Sequence, residues 1–138
     1  MYLFNKRSLQ NLKGVHPTLV KLMKTAILSS PFPFVITEGC RSLERQKQLL
    51  KEKKTRTLQS YHLTGHAVDI AIKVGEKITW EYRYYEAVAK HIQKIAHRQH
   101  ILITWGGTWK NLVDACHFQL EEERKKSLEL NSKDFCIH

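Results

Sequence analysis

Ser60-Tyr61-His62-Leu63-Thr64-Gly65-His66-Ala67-Val68-Asp69-Ile70-Ala71-Ile72-Lys73 is the stretch on which the reading of this 138-residue chain turns. From Ala67 to Lys73 the residues alternate as a strand requires. Val68, Ile70 and Ile72 point to one face, and Ala67, Asp69 and Ala71 to the other. The apolar face can pack on a helix while Asp69 looks into a cleft. His62 falls in a loop just before the strand, and Gly65 lets the chain turn sharply between them.

Working outward, Ser8 is a candidate cap for a short helical turn through Leu12. His16-Pro17 opens a helix, since Pro suits the first helical position. Val20, Met23, Ala26 and Ile27 give that helix its buried face. Phe34-Val35-Ile36-Thr37 reads as a strand ending at Glu38-Gly39. Ser42 caps a helix to about Lys53, with Leu43 and Leu50 inward and Gln46 between them. The basic run from Lys51 to Arg56 is expected to be a solvated helix end and loop.

Gly75 turns the chain, and Thr79 is a candidate cap for a long helix to about His100. Tyr85, Val88, Ile92 and Ile95 form its buried stripe. Ile101 to Thr104 and His117 to Leu120 read as further strands, with Asp114 in the loop between. The expected fold is α+β, a small, mainly antiparallel sheet with helices packed on one side. No repeat or linker marks a second domain. A single domain over 1–138 is expected, with its core at about 8–120 and a polar segment at 121–138.

His62, Asp69 and His117 are two imidazoles and a carboxylate, the ligand set of a catalytic zinc that keeps a fourth position open for water. One Zn2+ is expected there. Such a metal lowers the pKa of its water to about 7, which gives a nucleophile at neutral pH. Asp114, three residues before His117, is placed to act as general base. Arg41 is the candidate cation for a substrate carboxylate or a developing oxyanion, because its planar fork binds carboxylates bidentately. Ser60 is a candidate for binding substrate or orienting the ligand loop, and Trp105 and Trp109 for shaping the cleft.

Other residues admit blander readings. His66 is expected beside the cleft but outside the ligand set. His91, His97 and His100 are expected on the surface near a basic helix end. Strand alternation would turn the Cys116 thiol away from the metal and leave it a small buried hydrophobe. Cys40 is expected to be packing. Three cysteines without a CxxC pair argue against a disulfide framework and for reduced thiols.

The net charge of +10 implies an anionic partner: nucleic acid, acidic lipid or an acidic polymer such as cell wall. No nucleic-acid recognition motif is visible. No stretch approaches the ~18 apolar residues of a membrane span. The N-terminus has no apolar segment of the kind a signal peptide needs, so synthesis in the cytosol is expected.

The pattern Ser60-x-His62-x-x-Gly65-x-Ala67-x-Asp69, followed by Asp114-x-x-His117, resembles the D-Ala-D-Ala metallopeptidase group. That group shares a fold with lysostaphin-type enzymes and hedgehog signalling domains. Three further segments narrow the resemblance to bacteriophage L-alanyl-D-glutamate peptidase endolysins: Leu12-Lys13-Gly14-Val15-His16-Pro17, Glu38-Gly39-Cys40-Arg41-Ser42-Leu43-Glu44-Arg45-Gln46, and Trp105-Gly106-Gly107-Thr108-Trp109. The likeness runs from about Ser8 to Leu120.

It implies zinc ligands at His62, Asp69 and His117, a catalytic acid at Asp114 and a substrate-polarising Arg41. The wider group usually carries Glu where this chain has Asp114. The endolysin-like branch uses Asp, which reaches about one methylene less. The resemblance also implies a peptidoglycan stem peptide as substrate, a monomer, and access to the wall after holin-type release. Two alternatives use the same residues: a D,D-carboxypeptidase releasing terminal D-Ala, and a non-catalytic zinc-stabilised binding domain.

Overall fold

The computed structural model describes residues 1–53, 60–110 and 113–121. The elements in chain order are α1 (Lys6–Asn11), α2 (Pro17–Leu28), β1 (Phe34–Glu38), α3 (Leu43–Lys51), β2 (Ala67–Val74), β3 (Lys77–Thr79), α4 (Tyr82–Arg98), β4 (Ile103–Trp105) and β5 (His117–Leu120). Short 3-10 turns cover Tyr61–Thr64 and Gly106–Thr108. The strands form one antiparallel sheet in the order β1-β2-β5-β4, with β3 paired to the far end of β2. The α+β architecture expected from the sequence is the one observed.

The alternation in β2 divides the molecule. Val68, Ile70 and Ile72 are fully buried together with Leu19, Leu22, Met23 and Ala26 of α2 and Tyr85, Val88 and Ile92 of α4. Each large apolar side chain removed from water here contributes about 1.5–3 kcal/mol. Asp69, Ala71 and Lys73 take the opposite face, which α2 and α4 leave open. Gly75 adopts φ +64° at the turn from β2 into β3.

Several expectations need correction. Ser8 does not cap α1; Asn5 does, accepting from the Ser8 N–H at 2.8 Å. The Ser8 hydroxyl is buried and instead accepts from Ile36 N at 3.1 Å. Asn11 Nδ2 donates to Ile36 O at 2.8 Å, so α1 satisfies the backbone of the edge strand β1. On α2 the deepest residues include Leu19 and Leu22, and Val20 is only partly buried.

On α3 the inward residues are Gln46 and Leu49, while Leu43 and Leu50 are exposed. The helix rolls because Gln46 is held inward by Arg41. Ser42 does cap α3, accepting from Arg45 N at 3.1 Å. Thr79 closes the short strand β3, which the sequence reading missed, and α4 begins after it at Tyr82.

His91 is not a plain surface imidazole. Its Nε2 lies 2.9 Å from Ala26 O and ties α4 to the end of α2. His97 and His100 are exposed as expected. Cys40 is disulfide-bonded rather than reduced, and Cys116 is a free thiol. A cysteine count carries no information on which thiols folding brings into reach. Most of the basic run after Lys53, and the polar segment after Glu121, lie outside the described residues.

Candidate active site

The antiparallel register of β2 and β5 makes Asp69 and His117 direct cross-strand partners, so their side chains share one face. His62 arrives from the 3-10 turn before β2. Ser60 caps that turn, accepting from His62 N at 3.2 Å. Gly65 ends it at φ +74°, and a Cβ there would run into the carbonyl oxygen of Gly14. Only glycine fits both the dihedral and the space.

One ligand-capable atom from each of His62, Asp69 and His117 lies within 4.8 Å of the others, and this group can hold a metal ion. The hydrogen bonds around the two imidazoles define which nitrogens face inward. His62 Nδ1 sits 2.8 Å from Gly39 O, which can only accept, so this nitrogen carries the hydrogen. That leaves the His62 Nε2 lone pair 3.3 Å from Asp69 Oδ1. His117 Nε2 lies 2.8 Å from Gln119 Oε1, and Gln119 Nε2 donates onward to Glu121 Oε1 at 2.6 Å. Tyr61 Oη donates to Glu121 Oε2 at 2.7 Å.

The His117 Nε2 hydrogen is therefore spoken for, and its Nδ1 faces Asp69 Oδ1 at 3.1 Å. Two imidazole lone pairs aimed at one carboxylate oxygen repel unless a cation or a proton lies between them. Ligand atoms at about 2.0–2.1 Å from a tetrahedral zinc are separated by about 3.3 Å. The donor set fits a metal in chemistry and in spacing.

The electrostatics agree. Burial opposes ionisation of Asp69, but the imidazoles of His62 and His117 outweigh it and hold the carboxyl well below its ordinary range. Burial pulls the His117 pKa down. The hydrogen bond and charge of Asp69, then Gln119 and Asp114, more than reverse this and raise it.

Asp114 lies in the loop before β5, tied down by Asp114 N to Gly106 O at 3.0 Å and His117 N to Asp114 O at 3.1 Å. A Cβ on Gly106 would collide with the Asp114 carbonyl, so this glycine lets the loop close onto the 3-10 turn. The Cys116 thiol was expected to point away. It donates to Asp114 Oδ1 at 3.1 Å, within a cluster of Asp69, Asp114 and Cys116. The strand starts only at His117, so alternation does not govern Cys116. Burial, then the charges of Asp69 and Asp114, push its thiol far up and keep it protonated.

Arg41 is buried behind the same turn. Its Nε and Nη2 make a bidentate pair with Glu38 at 2.8 and 2.7 Å. Its Nη1 donates to Gln46 Oε1 at 2.7 Å and lies 3.4 Å from Ser60 Oγ. The two-pronged face that the sequence reading reserved for a substrate carboxylate is thus taken by Glu38. One Nη2 hydrogen remains outside these bonds among the described residues. Ser60 orients the ligand turn.

Trp105 is buried, with Nε1 donating to Ala115 O at 2.7 Å, and belongs to the core. Trp109 stands against His117, with ring centroids 5.2 Å apart, and borders the site. His66 is outside the metal group; its Nδ1 meets Thr64 Oγ1 at 2.8 Å and its ring packs on His16.

The residues that sequence reasoning missed are Glu38 and Gln46, which grip Arg41, and Gln119, Glu121 and Tyr61, which support His117. The period-two pattern of β5 was a usable signal, since Gln119 must share a face with His117.

The phage L-alanyl-D-glutamate peptidase family matches residues 1–127 of this chain. The chain belongs to that family. This family member is 30% identical over 114 residues to the L-alanyl-D-glutamate peptidase of Escherichia phage T5, covering 77% of this chain and 80% of the relative. It is 29% identical over 111 residues to the peptidoglycan L-alanyl-D-glutamate endopeptidase CwlK of Bacillus subtilis strain 168, covering 71% and 66%. Among solved structures it resembles the Serratia marcescens L-Ala D-Glu endopeptidase ChiX. That match has a TM-score of 0.82 and 40% identity, and it covers 90% of this chain and 93% of ChiX.

Proposed function

We propose that this chain is a zinc-dependent peptidoglycan peptidase that hydrolyses the L-Ala–D-Glu bond of the stem peptide. The observation that carries the reading is the convergence of two imidazole lone pairs on Asp69, with the Asp114 carboxylate in the adjoining cluster. The names of its relatives supply the bond.

His62 Nε2, Asp69 and His117 Nδ1 would hold a zinc ion, which would supply Lewis acidity and lower the pKa of water toward neutrality. Asp114 takes the proton from the attacking water and returns it to the departing amine of D-Glu. Its short side chain is brought to the site by a loop pinned to Gly106. The Cys116 thiol holds one carboxylate oxygen and leaves the other to exchange the proton. Arg41, held rigid by Glu38 and Gln46, offers its remaining Nη2 hydrogen to the substrate carbonyl. Trp109 forms a wall beside His117.

The protein acts as a single-domain monomer and reaches the wall after holin-type release from the host cytoplasm. Among the described residues, no helix is long and apolar enough to cross a membrane. The net charge of +10 provides attraction to anionic wall polymers.

Digestion of purified sacculi followed by mass analysis tests the reading. New N-terminal D-Glu, lost on chelation and restored by zinc, is the expected result. Free D-Ala as the product would instead establish the D,D-carboxypeptidase alternative. A zinc-loaded wild type without turnover would favour the binding-domain alternative, in which Asp114 has no task.

A further inference from the structure

β2 presents Ala67, Asp69, Ala71 and Lys73 on the face of the sheet opposite α2 and α4, so Ala71 and Lys73 follow Asp69 along it. Val35 of β1 is the cross-strand partner of Ala71, and Ile78 of β3 is the partner of Lys73, so all share this face. Together with Trp80 they line a groove of about 340 Å³, with Arg7 of α1 among its cations. The groove begins two residues from the metal group and reaches Lys73 four residues along. At about 3.3 Å per residue the run from Asp69 to Lys73 is roughly 13 Å, of which the groove floor from Ala71 to Lys73 is about half, so an extended peptide of about four residues starting at the metal group reaches the groove's far end.

Its lining has two properties at once. Val35, Ala71 and Ile78 make an aliphatic floor, and Trp80 stands 68% exposed beside them, a large apolar surface that no element among the described residues covers. Lys73 and Arg7 supply positive charge, and neither side chain meets a carboxylate among the described residues. The complement to such a surface is an extended aliphatic chain that carries carboxylates.

We propose that this groove binds the part of the stem peptide that follows the scissile bond, with its carboxylates on Lys73 and Arg7 and its aliphatic portions on Val35, Ile78 and Trp80. The assignment rests on the reading that cell-wall peptide is the substrate. Beyond an L-Ala–D-Glu bond the stem carries the free carboxylate of a γ-linked D-Glu, then a diamino acid with a long aliphatic chain, then D-Ala. The glycan on the other side of the bond is a run of neutral sugars. It could stack on Trp80 but would leave both cations unmatched.

The test is an NMR titration of the zinc-loaded protein with two probes, one for each side of the bond. The first is the tripeptide γ-D-Glu–meso-diaminopimelate–D-Ala, and the second is N-acetylmuramyl-L-Ala. The tripeptide is expected to shift the Trp80 indole N–H and the Lys73 amide, and the muramyl probe to leave them in place. Lys73→Gln and Arg7→Gln are each expected to weaken tripeptide binding by about two- to fivefold, the range of an exposed ion pair. Trp80→Ala is expected to weaken it without changing its salt dependence.

An unmoved indole, or equal tripeptide affinity in Lys73→Gln with an unaltered spectrum elsewhere, overturns the assignment. So does an indole that answers to the muramyl probe alone. Turnover of sacculi by the same sample judges the catalytic reading separately: tripeptide binding without turnover keeps the groove and removes the activity.

Discussion

Replacing Gln119 with Leu isolates the support of one metal ligand from the ligand itself. Leucine keeps the volume and the strand preference but removes the acceptor that holds the His117 Nε2 hydrogen at 2.8 Å. His117 is 7% exposed, so water replaces that acceptor poorly. A buried donor left unsatisfied costs about 1–3 kcal/mol, which corresponds to about 5- to 150-fold in an equilibrium constant. Loss of an outer partner of a metal-bound histidine costs about 10–100-fold in affinity, and the two ranges agree.

The variant is therefore expected to bind zinc about 10–100-fold more weakly, read by competition with a chromogenic chelator at pH 7.5. Tyr61→Phe, two hydrogen bonds further out, should lose less, since Glu121 and Gln119 stay in place. Circular dichroism and the thermal midpoint of the zinc-free form report whether the fold survives. A folded Gln119→Leu protein with zinc affinity within twofold of wild type would refute the reasoning.

Asp114→Asn keeps the loop but removes the base. Turnover of sacculi should fall by about 10²–10⁴-fold while zinc affinity stays within about threefold, and an equal fall in both would make Asp114 a ligand instead. Gly65→Ala forces a side chain into φ +74° and against Gly14 O. It should destabilise the fold by more than about 2 kcal/mol in urea unfolding, and a neutral result would mean that the turn relaxes.

Metal-free protein should be most stable between about pH 4 and 6.5. The contribution of His117, whose pKa is raised, is complete below the unfolded value of about 6.5 and is lost as pH climbs through the folded value. That of Asp69, whose pKa is lowered, is present above about 3.9 and is lost as pH falls through its folded value. Zinc needs His117 deprotonated, so the gap between zinc-loaded and zinc-free melting temperatures should widen from pH 6 to 8. Scanning fluorimetry across pH 4–9 checks both trends, and a zinc-free midpoint that rises through pH 6–8 would contradict them.

Strong periodic signals were legible in the chain. The alternation from Val68 to Ile72 marks a strand with one core face, and the stripe from Tyr85 to Ile95 marks a helix, because burial of one face imposes its period on the residues. The weaker signals misled where a polar contact outweighed an apolar one. Ser8 serves the backbone of β1 and leaves the cap to Asn5. Gln46 turns inward on α3 because Arg41 needs an acceptor there, and Leu50 is left in water. Cys116 escaped the alternation rule because it precedes its strand. The short strand β3 offered too few residues for a period to show.

Residue types and spacing marked His62, Asp69 and His117 as a candidate ligand set, two imidazoles and a carboxylate beside a turn glycine and a strand. Only the tertiary structure decided which nitrogen of each ring faces Asp69. That choice is made by Gly39 O on one side and Gln119 on the other, acceptors delivered by separate segments of the fold. The same holds for Arg41, whose fork is closed by Glu38 at the end of β1, and for the open groove that runs on from Asp69. Each depends on distances between atoms that folding brings together, and these exist only once the chain has turned into its sheet and loops.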